Sequence, residues 1–222
     1  MKKISVFIIC LCCIFLPLGA CKSAFTLTPF VTELRCNLYE GRSETHALRC
    51  AFGYTSRKQA KSNEDDKVYG LTFKLLDQET SNAEYSVGIN YDGQEKKAVF
   101  SLNPVTHSQI AFIELDQNFA LNEFSVTLFS AGERQEILLQ TIVPTDTITY
   151  ERALSSLYEN QTSLIDGYKN QDGEFSASIT QRIIVKDGKA YWYVGISEQV
   201  DKTKALLIDG VTGEVLAIRE VL

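Results

Sequence analysis

Two kinds of hydrophobic spacing divide this chain. Between residues 22 and about 143, short stretches alternate apolar with polar positions or are dense in β-branched and aromatic residues: TFKLL near 72, YSVGINY at 85, KAVFSL at 97, IAFIEL at 110, FSVTLF at 124 and EILLQTIV at 136. Tyr85, Val87, Ile89 and Tyr91 share one side of a strand, as do Phe124, Val126 and Leu128. Such alternation, interrupted by turns roughly every 8–12 residues, predicts an antiparallel β-sandwich, Ig-like, or a barrel. Asp92-Gly93 between two of these runs predicts a type I′ hairpin turn, because both residues tolerate positive φ. TSRKQAKSNEDDK (55–67) has seven charged residues and no large apolar one, and it reads as a solvated connection.

After Pro144-Thr145-Asp146 the period lengthens. Tyr150, Ala153, Leu154, Leu157, Tyr158, Leu164, Ile165 and Tyr168 fall on one helical stripe. Thr149 is placed to cap it and Glu151 to complement its positive end. Three or four strands follow. The first puts Phe175, Ala177, Ile179, Ile183 and Val185 on one side, Asp187-Gly188 makes the next turn, and AYWYVGIS, TKALLIDG and GEVLAIRE complete a meander. The expected fold is therefore mainly β with an α+β C-terminal part: a β-sandwich domain over 21–143, then over 144–222 a helix packed on a three- to four-stranded antiparallel sheet.

The N-terminal stretch is different again. Lys2 and Lys3 precede an apolar run from Ile4 to Leu18, too short for a helix crossing about 30 Å of hydrocarbon and typical of an export signal. Leu18-Gly19-Ala20-Cys21 resembles the lipobox of bacterial lipoproteins. The resemblance implies cleavage after residue 20, diacylation of Cys21, and a membrane partner engaged through N-terminal lipid on the extracytoplasmic side of the envelope. Without Lys2 and Lys3 the 22 basic residues become 20 against 28 acidic ones, a formal charge of about −8. With no basic cluster, nucleic acid is not an expected partner. A 45% hydrophobic composition suits a packed core rather than disorder.

Of six cysteines, Cys10, Cys12 and Cys13 leave with the signal and Cys21 takes lipid, leaving Cys36 and Cys50 in a predicted hairpin. If Cys36 faces Cys50, then Leu34 faces Phe52 and Leu38 faces Leu48, and all six side chains share one side. That register predicts a disulfide, worth about 3 kcal/mol in the chain-entropy model.

A helix opening ITYERAL, a meander, and a hairpin with Asp209, Thr212-Gly213 and Glu214-Val215-Leu216 together resemble a PepSY-type domain over residues 146–222. The resemblance implies a small helix-and-sheet module outside bacterial cells, associated with inhibiting or regulating peptidases, and it supplies no catalytic residues.

Candidate chemistry is sparse. His46 and His107 lack metal-ligand spacing. No Gly-x-Ser-x-Gly elbow and no phosphate loop occurs. The Asp-Gly pairs at 92, 172, 187 and 209 lack the ligand density of a calcium loop and read as turns, and the one at 166 ends the helix. No metal and no cofactor is expected. Tyr191, Trp192 and Tyr193 are the candidate partner-binding residues, with both tyrosines on one face of their strand and Trp192 on the other. The leading expectation is a non-enzymatic, lipid-anchored envelope protein that binds or regulates a protein, such as a peptidase or cell-wall enzyme. The alternatives are a small-molecule, glycan or peptide binder with an interdomain cleft, and a hydrolase using dispersed carboxylates.

Overall fold

A computed structural model describes residues 25–58, 61–76, 84–104, 106–117, 119–130, 132–199 and 202–221; Cys21 and the signal lie outside them. The described chain is mainly β. A short 3₁₀ turn (Thr28–Phe30) leads into β1 (Val31–Arg42). Then come β2 (Ala47–Ser56), β3 (Lys67–Leu75), β4 (Tyr85–Tyr91), β5 (Gln94–Val99), β6 (Ser101–Asn103), β7 (Ser108–Glu114), β8 (Glu123–Ser130) and β9 (Glu133–Thr141). The helices α1 (Tyr150–Asn160) and α2 (Thr162–Asp166) separate these from β10 (Ser178–Lys186), β11 (Lys189–Gln199), β12 (Lys202–Asp209) and β13 (Val215–Val221). Among the described residues no helix is long and apolar enough to cross a membrane.

The local signals act as the sequence implies. Asp92 and Gly93 have φ of 51° and 72°, and Asp187 and Gly188 have 52° and 73°, the left-handed pairs of type I′ turns. Thr149 Oγ1 accepts from the Arg152 amide at 3.3 Å and caps α1. The helix lays Ala153, Leu154 and Leu157 on the sheet, with Ile165 of α2 beside them. Full burial of each such aliphatic side chain is worth roughly 1.5–3 kcal/mol for the larger ones.

The antiparallel part curls on itself. Its strands follow β1–β2–β3–β7–β6 in one direction and β1–β9–β8–β4–β5 in the other. β5 and β6 are one run of chain that changes partner at Phe100: β5 pairs with β4, the Phe100 amide donates to Tyr85 O at 2.9 Å, and Ser101 then lies opposite Ile110 of β7. The two ends of the sheet thus meet, and Phe73, Val87, Val126, Ile137 and Leu139 fill the interior.

The sheet also runs across the predicted boundary near residue 143. β10 pairs with β1 in parallel, Val31 opposite Ile179 and Arg35 opposite Arg182, and β11, β12 and β13 continue outward as an antiparallel meander. β1 therefore has β2 along one edge and, on the other, β10 at its start and β9 at Tyr39 and Glu40. The inner face is continuous. Leu48, Cys50 and Phe52 of β2 line the curled sheet, while Tyr54 on the same strand joins Val31, Leu34 and Leu38 under α1 with Trp192 and Ile208.

The expected register of the first hairpin is corrected. Arg42 pairs with Ala47 and Tyr39 with Cys50, so Cys36 does not face Cys50, and both thiols are free. The cause is a turn centred between Glu44 and Thr45 instead of on Ser43, which puts Tyr39 opposite Cys50, together with a bulge between Arg35 and Asn37 that leaves Cys36 unpaired. Gly53 makes the bulge fit, since a Cβ there would lie 1.8 Å from Leu34 O and 2.9 Å from Arg35 Cα. Gly53→Ala is expected to destabilise the protein by about 3 kcal/mol through backbone overpacking; denaturant unfolding of the two proteins measures the difference.

Candidate functional site

Alternation along β11 separates the three candidate aromatics. Trp192 goes into the core, 2% exposed, and its indole Nε1 donates to Ile148 O at 3.0 Å, so the only polar atom of the ring is satisfied. Tyr191 and Tyr193 go to the opposite face and stay half-buried. The structure thus keeps the tyrosines together and removes Trp192 from any surface.

Cross-strand pairing sets what surrounds them. Arg182, Tyr193, Leu207 and Ala217 form one row across β10 to β13, and Ile184, Tyr191 and Asp209 form the next. Gly195 and Ala205 follow. At Gly195 a Cβ would sit 3.2 Å from the Tyr193 hydroxyl, so the Tyr193 ring leans over a position with no side chain. Both helices pack on the other face, and Ile184 is 40% exposed. At the β1 end the rows meet Glu33, which bridges Arg182 at 3.1 Å and Arg35 at 3.6 Å. Arg35 also donates to Leu34 O at 2.9 Å and Tyr54 O at 3.0 Å; burial pushes its pKa down, with Glu33 opposing. The face is an aromatic and aliphatic patch bounded by a guanidinium pair. Its chemistry suits contact rather than catalysis.

The other sequence candidates have structural employment. Asp209 Oδ1 accepts from the amides of Val211 at 2.9 Å and Thr212 at 2.8 Å, and those bonds hold its carboxyl below the usual range. Gly213 has φ of 77° and packs where a Cβ would lie 2.6 Å from Ser156 Oγ; at Gly210 a Cβ would lie 2.4 Å from Ala190 O. The segment Asp209–Glu214 is a turn docked on α1, and its acidic side chain serves the turn's own amides. His46 sits in a distal turn with Thr45 Oγ1 at 2.8 Å and Gln135 Oε1 at 3.3 Å, its ring edge-on to Tyr85. His107 holds a left-handed turn position, φ 50°. No group of three or more His, Cys, Asp or Glu side chains that would hold a metal occurs among the described residues.

Cys36 lies at the seam between the two cores, and Cys50 is buried in the curled one. Burial raises the Cys36 pKa to about 11 and the Cys50 pKa well above its ordinary value. A thiol held protonated is a poor nucleophile. Beside them, sequence reasoning missed a polar cluster. Tyr69 Oη donates to Glu64 Oε1 at 2.5 Å, Lys67 Nζ donates to Glu64 Oε2 at 2.7 Å, and the Tyr54 and Tyr69 rings meet edge-on at 5.1 Å. Hydrogen bonds from Lys67 and then Tyr69 lower the Glu64 pKa, while burial and this bond raise that of Tyr69. The local signal was the charged stretch 55–67 itself, whose acidic end folds back on β3.

Comparison with protein-family models, with curated proteins and with solved structures gives no match to the chain.

Two outcomes follow from this geometry. Iodoacetamide at pH 8 without reductant is expected to leave both thiols unmodified in the folded protein and to alkylate both in urea, read by intact mass; absence of labelling in urea indicates a bridge. Asp209→Ala is expected to cost about 1 kcal/mol by orphaning two turn amides. Because the folded carboxyl has the lower pKa, its contribution is present above the unfolded pKa and fades as pH falls through the folded one. The wild-type advantage over the variant in thermal unfolding should therefore be full near neutrality and shrink in acid.

Proposed function

We propose that this chain is a non-enzymatic protein of the bacterial cell envelope, anchored outside the cytoplasm through lipid on Cys21, whose C-terminal PepSY-like module binds and regulates another protein. The observation that carries the reading is the uncovered sheet face on which Tyr191 and Tyr193 stand beside Ile184, Leu207 and Ala217. Tyrosine brings large apolar area with a polar tip at small conformational cost, the property that makes it common at protein contacts. The candidate nucleophiles and carboxylates are engaged in turns, ion pairs or burial, which favours a binding role over a hydrolytic one. The N-terminal β part, in its finer reading an Ig-like module, serves as the support to which this face is joined through the pairing of β1 with β10. The partner class this favours is an envelope peptidase or cell-wall enzyme, as the PepSY-like resemblance implies.

The experiment uses the full chain in mild detergent. Wild type is expected to capture one envelope peptidase saturably. The Tyr191→Glu, Tyr193→Glu double variant, with its circular dichroism unchanged, is expected to weaken that binding by roughly 30-fold or more, the loss typical of removing a binding hot spot of about 2 kcal/mol. Equal binding by the double variant would refute the assignment to this face. Absence of any saturable envelope partner removes the protein-binding reading itself.

A further inference from the structure

The chain enters the described structure through an aromatic cluster. Phe25 lies tilted against Tyr158 at 5.1 Å between ring centroids, and Phe30 meets Phe175 edge-on at 4.8 Å. Phe25 lies 6.3 Å from both Phe30 and Phe175, and Tyr168 lies 6.0 Å from Phe175. Only Phe175 of the three phenylalanines is fully buried; Phe25 and Phe30 keep part of their rings outside. Between them runs an open groove of about 620 Å³, with Phe25, Pro29, Phe30 and Phe175 on its walls and Lys61 and Glu174 on its rim. Lys61 is brought here because the neighbouring Ser62 amide donates to Pro29 O at 2.9 Å, tying the charged 55–67 stretch beside the 3₁₀ turn. Lys169 lies over the Phe25 ring at 4.8 Å and pairs with Asp166 at 2.6 Å.

Two of these rings are left partly uncovered at the end of the structure that lies next to Cys21 in the sequence. Four residue steps separate Phe25 from Cys21, and four steps of extended chain reach at most about 14 Å. That distance is less than half of a bilayer's hydrocarbon thickness of about 30 Å. A lipid on Cys21 therefore holds Phe25 within reach of the headgroup layer, whichever way the rest of the protein turns. Phenylalanine rings on an apolar surface held at that depth bury their area at the boundary between headgroups and acyl chains, as they do on the apolar face of interfacial helices. The charges on the rim are of both signs, so the contact does not depend on anionic lipid.

We propose that the face formed by Phe25, Pro29 and Phe30, over the buried Phe175, rests in the headgroup region of the bilayer that holds the anchor, with phospholipid in the groove. The proposal rests on the lipid anchor at Cys21 and deepens it, because it fixes an orientation. β1 leaves this face at Val31 and runs to Arg42, about 36 Å of strand, so the turn holding Glu44 stands at the far end of the molecule. The protein is held upright by a short tether and an aromatic foot, instead of swinging on a lipid chain.

The test uses the full lipidated chain reconstituted in phosphatidylcholine vesicles, with and without bromine on the upper acyl chain. Thr26, exposed on the groove, is replaced by Trp; Phe30→Trp is the second variant, and Glu44→Trp reports from the far end. Trp192 is buried and gives a constant background. Bromine is expected to quench the added emission of Thr26→Trp and Phe30→Trp and to leave that of Glu44→Trp unchanged. Equal emission of both groove variants in the two kinds of vesicle overturns the proposal, as does equal quenching of all three positions. The mass of the mature protein separates the two levels. Acylated Cys21 with unquenched groove variants overturns the orientation alone, whereas an unacylated Cys21 overturns the anchor and the orientation with it.

Discussion

The structure depends on the pairing of one strand. β1 is hydrogen-bonded to β2 along one edge, and its other edge is divided between β10 at the start and β9 near Tyr39. Without that division there would be two separate sheets. With it, the interior of the curled sheet passes directly into the surface that α1 covers, and residues of β2 on one side serve both cores in turn. The division requires β1 to bend, which the bulge at Cys36 and the missing side chain of Gly53 allow. β10 can then lie parallel to the first half of β1 while β9 takes the second half from the opposite direction.

Much of this was legible locally. Period-two alternation located the strands from β3 onward, because a strand with one buried face must alternate. The Asp-Gly turns and the Thr149 cap were readable because a positive φ and a free helix amide each favour few residue types. The partner of β10 was not readable. A parallel pair joins segments far apart in sequence through chain that has its own structure, and nothing within residues 31–35 or 178–182 marks the other. The register of the first hairpin failed for a related reason. A symmetrical hairpin was the simplest reading that put Cys36, Leu34 and Leu38 on one side, whereas the bulge depends on a contact between Gly53 and the Leu34 carbonyl that only packing reveals. At the candidate site, alternation correctly separated Trp192 from the two tyrosines. Which of the two faces α1 would cover depended on where the rest of the sheet continued.

A second theme is the use of ionisable groups. Asp209 satisfies two amides of its own turn, Glu64 accepts from Lys67 and Tyr69, and Glu33 lies between Arg35 and Arg182. The acidic side chains that drew attention in the sequence mostly complete backbone geometry or balance a neighbouring cation. The two thiols sit where burial keeps their protons on. Two apolar or aromatic surfaces among the described residues stand apart from these pairings: the tyrosine face of the C-terminal meander and the phenylalanines at the chain's entry.

The parallel pair has a consequence for the order of events during synthesis. The Thr32 hydroxyl donates to Ile179 O across a separation of 147 residues. Residues 31–35 are among the first of the folded part to be made, yet one of their edges has no native partner until the chain has grown past β10. Closing so large a loop is slow in comparison with making hairpins. The curled sheet can assemble early from neighbours, but its first strand keeps a row of open backbone groups facing outward. Whatever accompanies the nascent chain therefore has one short edge to shield, and the arrival of β10 ends that exposure.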